Sequence, residues 1–272
     1  ESAHLSAQFV YDGTRLACAE MLKGGITCFN DMYFFPDAAA RASSEMGMRA
    51  TLGITTLEFP TPFASDAEDY LSKGLAVREK WHDNNLIRFC LAPHAPYTVS
   101  NATFEHVLTL SEQLNLPIHC HIHETRQEIE DSLKQHGRRP LARLHNLGLL
   151  GPNFIGVHAV HLDQAEIELL ASTGSNVAHC PTSNLKLASG FAPVAHMRQA
   201  GINVGLGTDG AASNNRLDLF GEMRLAALLA KGTSGDASAL PANEVLHMAT
   251  LGAASALGLA GEVGSLAPGK QA

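Results

Sequence analysis

Short apolar runs alternate with amphipathic stretches along the whole chain, and most of the apolar runs give way to polar residues at their carboxyl ends. Apolar positions at helical spacing predict helices over 101–114, 126–136, 140–147, 164–173, 194–200, 218–231 and 243–257. Compact apolar runs predict strands at 49–57, 86–92, 116–123, 153–160, 176–179 and 202–208. Upstream, the first twenty-odd residues read as a helix stopped by Lys23-Gly24-Gly25, followed by a short strand within 26–33. Helices are also expected over 36–46 and 66–82, loops over 59–65 and 231–239, and a turn at Pro181-Thr182-Ser183-Asn184.

This strand–helix alternation calls for parallel pairing through right-handed crossovers. Seven strands with a helix in front suggest a (β/α)8 TIM-type barrel that lacks its first strand, residues 1–272 supplying strands two to eight. A doubly wound open sheet is the alternative. The polar strand ends at His94, His121, His158, His179 and Asp209 favour the barrel, because many strand ends meet at one point only when a sheet closes.

The densest of these ends is Leu116-Pro117-Ile118-His119-Cys120-His121-Ile122-His123-Glu124-Thr125. On a continuous strand His119, His121 and His123 would share one side. Imidazole is the commonest metal ligand, and a carboxylate beside it can carry protons. The run Val204-Gly205-Leu206-Gly207-Thr208-Asp209-Gly210 likewise ends on an acid. Together the two ends suggest a metal-dependent hydrolase, against the plainer reading of surface or core histidines grouped by chance.

Composition narrows the choice. A net charge of −8 with no basic run argues against a nucleic-acid partner, and no apolar stretch approaches a membrane span. The five cysteines form no CxxC pair, which predicts free thiols and a cytoplasmic protein. A serine-nucleophile elbow and the PCxxC signature of the small zinc deaminases are both missing from the sequence. Apolar content of 45% and 17% charged residues suit a globular enzyme.

Six segments carry a resemblance to a known family: Gly24 to Tyr33, Ala92-Pro93-His94-Ala95-Pro96-Tyr97, His119 to Thr125, Gly156 to Leu162, His179 to Asn184, and Gly207 to Asn215. In this order they resemble the amidohydrolase superfamily and, within it, the S-adenosylhomocysteine/5'-methylthioadenosine deaminases. The resemblance implies a divalent metal, most often Zn2+, one per subunit, with His121 and Asp209 among its ligands. It also implies Glu124, His158 and Asp209 as catalytic residues, and Glu1, His94, Glu124 and Asp209 as substrate contacts. His119 and His123 become neighbours of the site rather than ligands, and His179 a pocket-lining or loop-bracing residue. The implied partner is a small adenine nucleoside (S-adenosylhomocysteine, 5'-methylthioadenosine or adenosine), deaminated hydrolytically to an inosine-type product and ammonia. Homo-oligomers are common among soluble enzymes.

The sequence also departs from that family. The His-x-His pair of strand one and the flanking β-sandwich are not found in it, and 262–271 reads as the point of re-entry into the sandwich. The expectation is therefore weak metal binding and poor solubility for this polypeptide alone. A related aminohydrolase or chlorohydrolase acting on triazines or guanine, and an inactive truncated barrel, remain the competing readings.

Overall fold

The computed structural model describes residues 4–271. The elements run α1 (Ala7–Lys23), β1 (Cys28–Asp31), α2 (Pro36–Glu45), β2 (Arg49–Thr56), α3 (Ala67–Lys80), β3 (Ile87–Pro93), α4 (Asn101–Leu114) and β4 (Ile118–Ile122). They continue through α5 (Arg126–His136), α6 (Pro140–Asn146), β5 (Phe154–His158), α7 (Gln164–Thr173), β6 (Asn176–His179), α8 (Pro181–Lys186) and α9 (Val194–Gln199). The last are β7 (Asn203–Leu206), α10 (Ala211–Asn214), α11 (Leu219–Ser234), α12 (Ala242–Ala249) and α13 (Leu251–Ala256). The chain divides into two compact units, residues 1–119 and 120–272, with the boundary inside β4.

In the first unit β1, β2 and β3 pair in parallel, in register from Cys28↔Arg49 to Asp31↔Leu52 and from Ala50↔Ile87 to Thr56↔Pro93. The start of β4 joins β3 at Leu91↔Ile118. From Ala50 onward every residue of β2 is buried, which explains why this run shows no in–out alternation. The helix α3 starts at Asp66, whose side chain accepts from the Asp69 N–H, and packs closely on β2. A methyl at Gly74 would strike Ile54, so only glycine permits that approach. Beside it Leu57, Ala64 and Tyr70 form an apolar cluster with Phe34 and Phe63.

In the second unit β5, β6 and β7 are parallel, in register from Ile155↔Asn176 to Val157↔Ala178 and from Asn176↔Asn203 to His179↔Leu206. All of β5 is buried. The helix α7 opens with a capping box in which Asp163 and Glu166 satisfy each other's backbone N–H groups. Close packing of α13 on β7 centres on Gly205, where an added Cβ would lie 3.0 Å from Ala253 Cα.

Four sequence expectations need correction. β4 stops at Ile122, because His123 adopts a left-handed backbone (φ 50°), so the three histidines do not continue on one side of a strand. The expected helix over 243–257 is two helices, broken at Thr250 (φ −124°, ψ −96°). The expected loop at 231–239 begins only after Ser234, where Gly235 ends α11 in the left-handed region that glycine tolerates best. The turn at 181–184 is the first part of α8, which Pro181 opens as a helix start.

The cysteines are free thiols, as expected: Cys18, Cys90, Cys120 and Cys180 are buried and Cys28 is half-buried. Among the described residues no helix is long and apolar enough to cross a membrane.

Candidate active site

Parallel pairing puts the carboxyl ends of β5, β6 and β7 on the same side of the second unit, and the candidate residues sit at those ends. His158 is the last residue of β5 and His179 the last of β6, while Asp209 lies three positions beyond β7. His121 is the fourth residue of β4, and Glu124 follows that strand after the turn at His123.

His121 and His158 stack, with ring centroids 5.4 Å apart and planes inclined by 21°. His158 is 2% exposed and donates from Nδ1 to Asn184 Oδ1 (2.9 Å), which leaves Nε2 directed toward Glu124 Oε2 at 3.9 Å. Glu124 also receives a long contact from Ser189 Oγ to Oε1 (3.5 Å). Asp209 is held twice: Ser183 Oγ donates to Oδ2 and the Gly210 N–H to Oδ1, each at 2.6 Å. Burial pushes the Asp209 carboxyl up, but the Ser183 hydroxyl, the Gly210 N–H, the nearby His158 and the Ser213 hydroxyl outweigh it. The group is held below the usual carboxylate range and is ionised at neutral pH.

Three backbones here are left-handed: His158 (φ 72°), the adjoining Ala159 (φ 48°) and Asp209 (φ 60°). Non-glycine residues avoid this region, and each such placement costs of order 1–3 kcal/mol unless its surroundings enforce it. The surroundings do so: the Ala159 N–H donates to Ile122 O, and the Asp209 side chain is fixed by the bonds above.

The helix α8 carries two of the partners, Ser183 and Asn184, both buried. Its first turn is tied down by Glu222, which accepts from the Thr182 N–H (3.0 Å) and from Asn214 Nδ2 (2.8 Å). The helix ends through the exposed Ala188 (φ 57°), whose N–H donates to Leu185 O. A small cavity beside α8 is lined by His179, Pro181, Asn184, Gly190, Phe191 and Ala192, which agrees with the pocket-lining role expected of His179. Burial there, helped by His158, pushes the His179 imidazole down to about 3, so it is neutral.

His123 faces away from this group. It is fully buried, donates from Nδ1 to His161 O (3.3 Å), and accepts the Leu141 N–H at Nε2 (3.1 Å), beside the Arg139–Glu166 ion pair. His119 is buried at the unit boundary. In the first unit His94 follows β3, bonds to Thr98 Oγ1 through Nδ1 (2.9 Å) and meets the Tyr97 ring edge-on. Glu1 lies outside the described residues.

Two imidazoles and two carboxylates are the donor chemistry of a zinc or similar divalent site. Among the described residues no three His, Cys, Asp or Glu side chains come close enough together to hold an ion. The donor types fit such an ion; their number at one point falls short of the usual three protein ligands.

Histidines and acids at the carboxyl ends of parallel strands define a class of hydrolases whose chemistry is carried by strand-end residues and a divalent ion. The chain belongs to the amidohydrolase family, whose profile matches residues 1–272. It is 50% identical over 272 residues to a protein of Saccharophagus degradans named 5-methylthioadenosine/S-adenosylhomocysteine deaminase, covering 100% of this chain and 61% of that one. Among solved structures, it superposes on a zinc-bound adenosine deaminase from Xanthomonas campestris with a TM-score of 0.98 at 50% identity, covering 100% of this chain and 62% of that one. A zinc-complexed atrazine chlorohydrolase from Arthrobacter aurescens gives a TM-score of 0.86 at 27% identity, covering 94% of this chain and 62% of that one. The chain thus spans about three-fifths of the length of the relatives it matches.

Proposed function

We propose that this chain forms the greater part of the catalytic barrel of an adenine-nucleoside deaminase, which hydrolyses S-adenosylhomocysteine, 5'-methylthioadenosine or adenosine to the inosine-type product and ammonia. The barrel reading assigns β1 to β7 to strands two to eight, the first strand and the flanking sandwich not being supplied by this sequence. The observation that carries the functional reading is the arrangement of Glu124 and His158 beside His121, within the same compact unit as an ionised Asp209. The 50% identity to a protein named for this activity supports it.

In this reading His121 and Asp209 supply part of the ligand set of a divalent ion, most often zinc. Such an ion lowers the pKa of water toward ~7 and so makes hydroxide available at neutral pH. Asp209, ionised and pinned by Ser183, accepts the proton of the water that attacks C6 of the adenine ring. Glu124 delivers a proton to N1, so that negative charge does not build up on the base. His158, its orientation fixed by Asn184, lies against the attacking oxygen and stabilises the tetrahedral intermediate. Asp209 passes the water's proton to the departing amino group, while the C6 hydroxyl gives its own to Glu124. Ammonia then leaves, the carbonyl forms and both carboxyls return to their starting states. His94 and Glu1 are assigned to substrate contacts, Glu1 to the ribose hydroxyls.

The test is ammonia release from S-adenosylhomocysteine, 5'-methylthioadenosine and adenosine, run beside guanine and a chlorotriazine. Glu124→Gln should lower kcat by about 10²–10⁴, the range expected for loss of one general acid–base group. Preferential turnover of guanine or the triazine would overturn the nucleoside assignment, and an unimpaired Glu124→Gln variant would overturn the role of Glu124.

A further inference from the structure

Two stretches of the second unit grip Asp209, and a buried side chain on a third element joins them. One stretch is the start of α8, where the Ser183 hydroxyl donates to Asp209 Oδ2 (2.6 Å). The other is the segment 208–214, which carries Asp209 itself and is closed by Asn214 Nδ2 donating to the Thr208 carbonyl (2.6 Å). Glu222, in the first turn of α11 and 2% exposed, reaches both. Its Oε2 accepts the Thr182 N–H (3.0 Å), one residue before Ser183, and its Oε1 accepts from Asn214 Nδ2 (2.8 Å).

This joint needs two acceptors on one side chain. The Thr182 N–H can only donate, and the bond to the Thr208 carbonyl fixes which end of the Asn214 amide is the amino group. Turning that amide over would set Oδ1 against the Thr208 oxygen, so Asn214 cannot adapt. Glutamine at 222 would fill the same space but exchange one acceptor for an amino group. Either the Thr182 N–H or Asn214 Nδ2 would then face another donor. A buried polar group without a partner is costly, and its segment shifts to find one. Both shifts separate Ser183 from Asp209: the first moves the hydroxyl, the second moves the carboxyl.

We infer that Glu222 is a positioning residue for Asp209, clamping α8 to the segment 208–214 so that Ser183 keeps the carboxyl in one direction. The inference rests on the functional reading above for the role of Asp209, while the clamp itself does not depend on it. Glu222 touches no substrate atom in that scheme and acts through the Ser183–Asp209 contact.

Hydrogen exchange and kinetics on the full chain test this together. The Gly210 N–H, which donates to Asp209 Oδ1, reports on the carboxyl without any turnover. In Glu222→Gln it should exchange at least about fivefold faster than in the parent, while the β3 amides (87–93) keep their rates. Asn214→Ala cuts one arm of the clamp and leaves Glu222 in place, so it gives the same reading if Glu222→Gln does not fold. With a nucleoside substrate, Glu222→Gln should lower kcat about 10- to 100-fold, the usual span for losing a partner that orients a functional group, and change KM far less. In a Ser183→Ala background the same substitution should cost less than about threefold in kcat, because the contact it protects is already gone. Parent-like exchange at Gly210, or acceleration spread equally to 87–93, overturns the inference. So does parent-like kcat in Glu222→Gln, or a loss of the same size with and without the Ser183 hydroxyl. If the parent chain turns over no nucleoside, the functional reading fails, and exchange at Gly210 still decides whether Glu222 holds the carboxyl.

Discussion

At the scale of single residues, the second unit holds two titratable groups whose pKa is displaced far from the value in solvent. Burial holds His179 neutral, its value falling from 6.5 to about 3. Between those values the unfolded chain binds the extra proton, so the stability linked to His179 is full above pH 6.5 and is lost as pH falls toward 3. Glu128 moves the other way. Burial first, with the charge of Glu124 adding to it, raises the carboxyl from 4.5 to about 7 against the opposing pull of the nearby backbone N–H groups. The native state then binds the extra proton between those values, and the associated stability is full below pH 4.5 and lost as pH rises to 7. His179→Gln should therefore flatten the acid-side fall in unfolding free energy between pH 6.5 and 4, measured by urea denaturation at several pH values. An unchanged slope would mean that His179 is not buried as described. None of this was legible in the sequence, which places His179 at a strand end but cannot tell a buried imidazole from a solvated one. The sequence does carry a capping-box pattern at Thr125-x-x-Glu128, of which the structure keeps one half, the Thr125 hydroxyl accepting the Glu128 N–H.

At the scale of elements, alternation and capping residues located most of the strands and helices, because each depends on local sequence. The boundaries of α4, α5, α7 and β6 match the expected ranges. Where the reading failed, the cause was backbone conformation. His123 continues the alternating pattern of β4, yet its left-handed φ turns the side chain into the Arg139–Glu166 region. The break at Thr250 splits an apolar stretch whose periodicity reads as one helix. Packing sets a second limit that sequence does not announce, in the contact of β7 with α13. Gly205→Ala should lower stability by about 1–3 kcal/mol, the usual cost of forcing an extra carbon into a packed contact, as read by chemical denaturation. A neutral result would show that α13 moves aside without penalty.

At the scale of the whole molecule, the order of the motif segments revealed the family, and the full-length profile match bears this out. The residues at the carboxyl ends of β5 to β7 belong to one compact unit, as expected of a site built from strand ends. Number of donors, rather than their type, decides the expected behaviour toward metal. With no three ligand-type side chains brought together among the described residues, the purified 272-residue chain should hold zinc weakly. Metal analysis after dialysis checks this: substoichiometric zinc is the expected result, and one tightly held zinc per chain would overturn it. The relatives are longer by more than half the length of this chain, so the same measurement on such a protein gives the natural comparison.

The exposed left-handed Ala188 at the end of α8 has an engineering consequence. Glycine is the residue that such a helix terminus favours, and a methyl group there is strained while burying nothing. Ala188→Gly should raise the unfolding free energy by about 0.5–1 kcal/mol, as judged from the strain of a left-handed alanine less the added chain entropy of glycine. A lower melting temperature would count against that balance. The change lies outside the proposed chemistry but on the helix that braces Asp209 and His158. Heat tolerance could then be improved from the rim of the site, leaving the residues that face the substrate untouched.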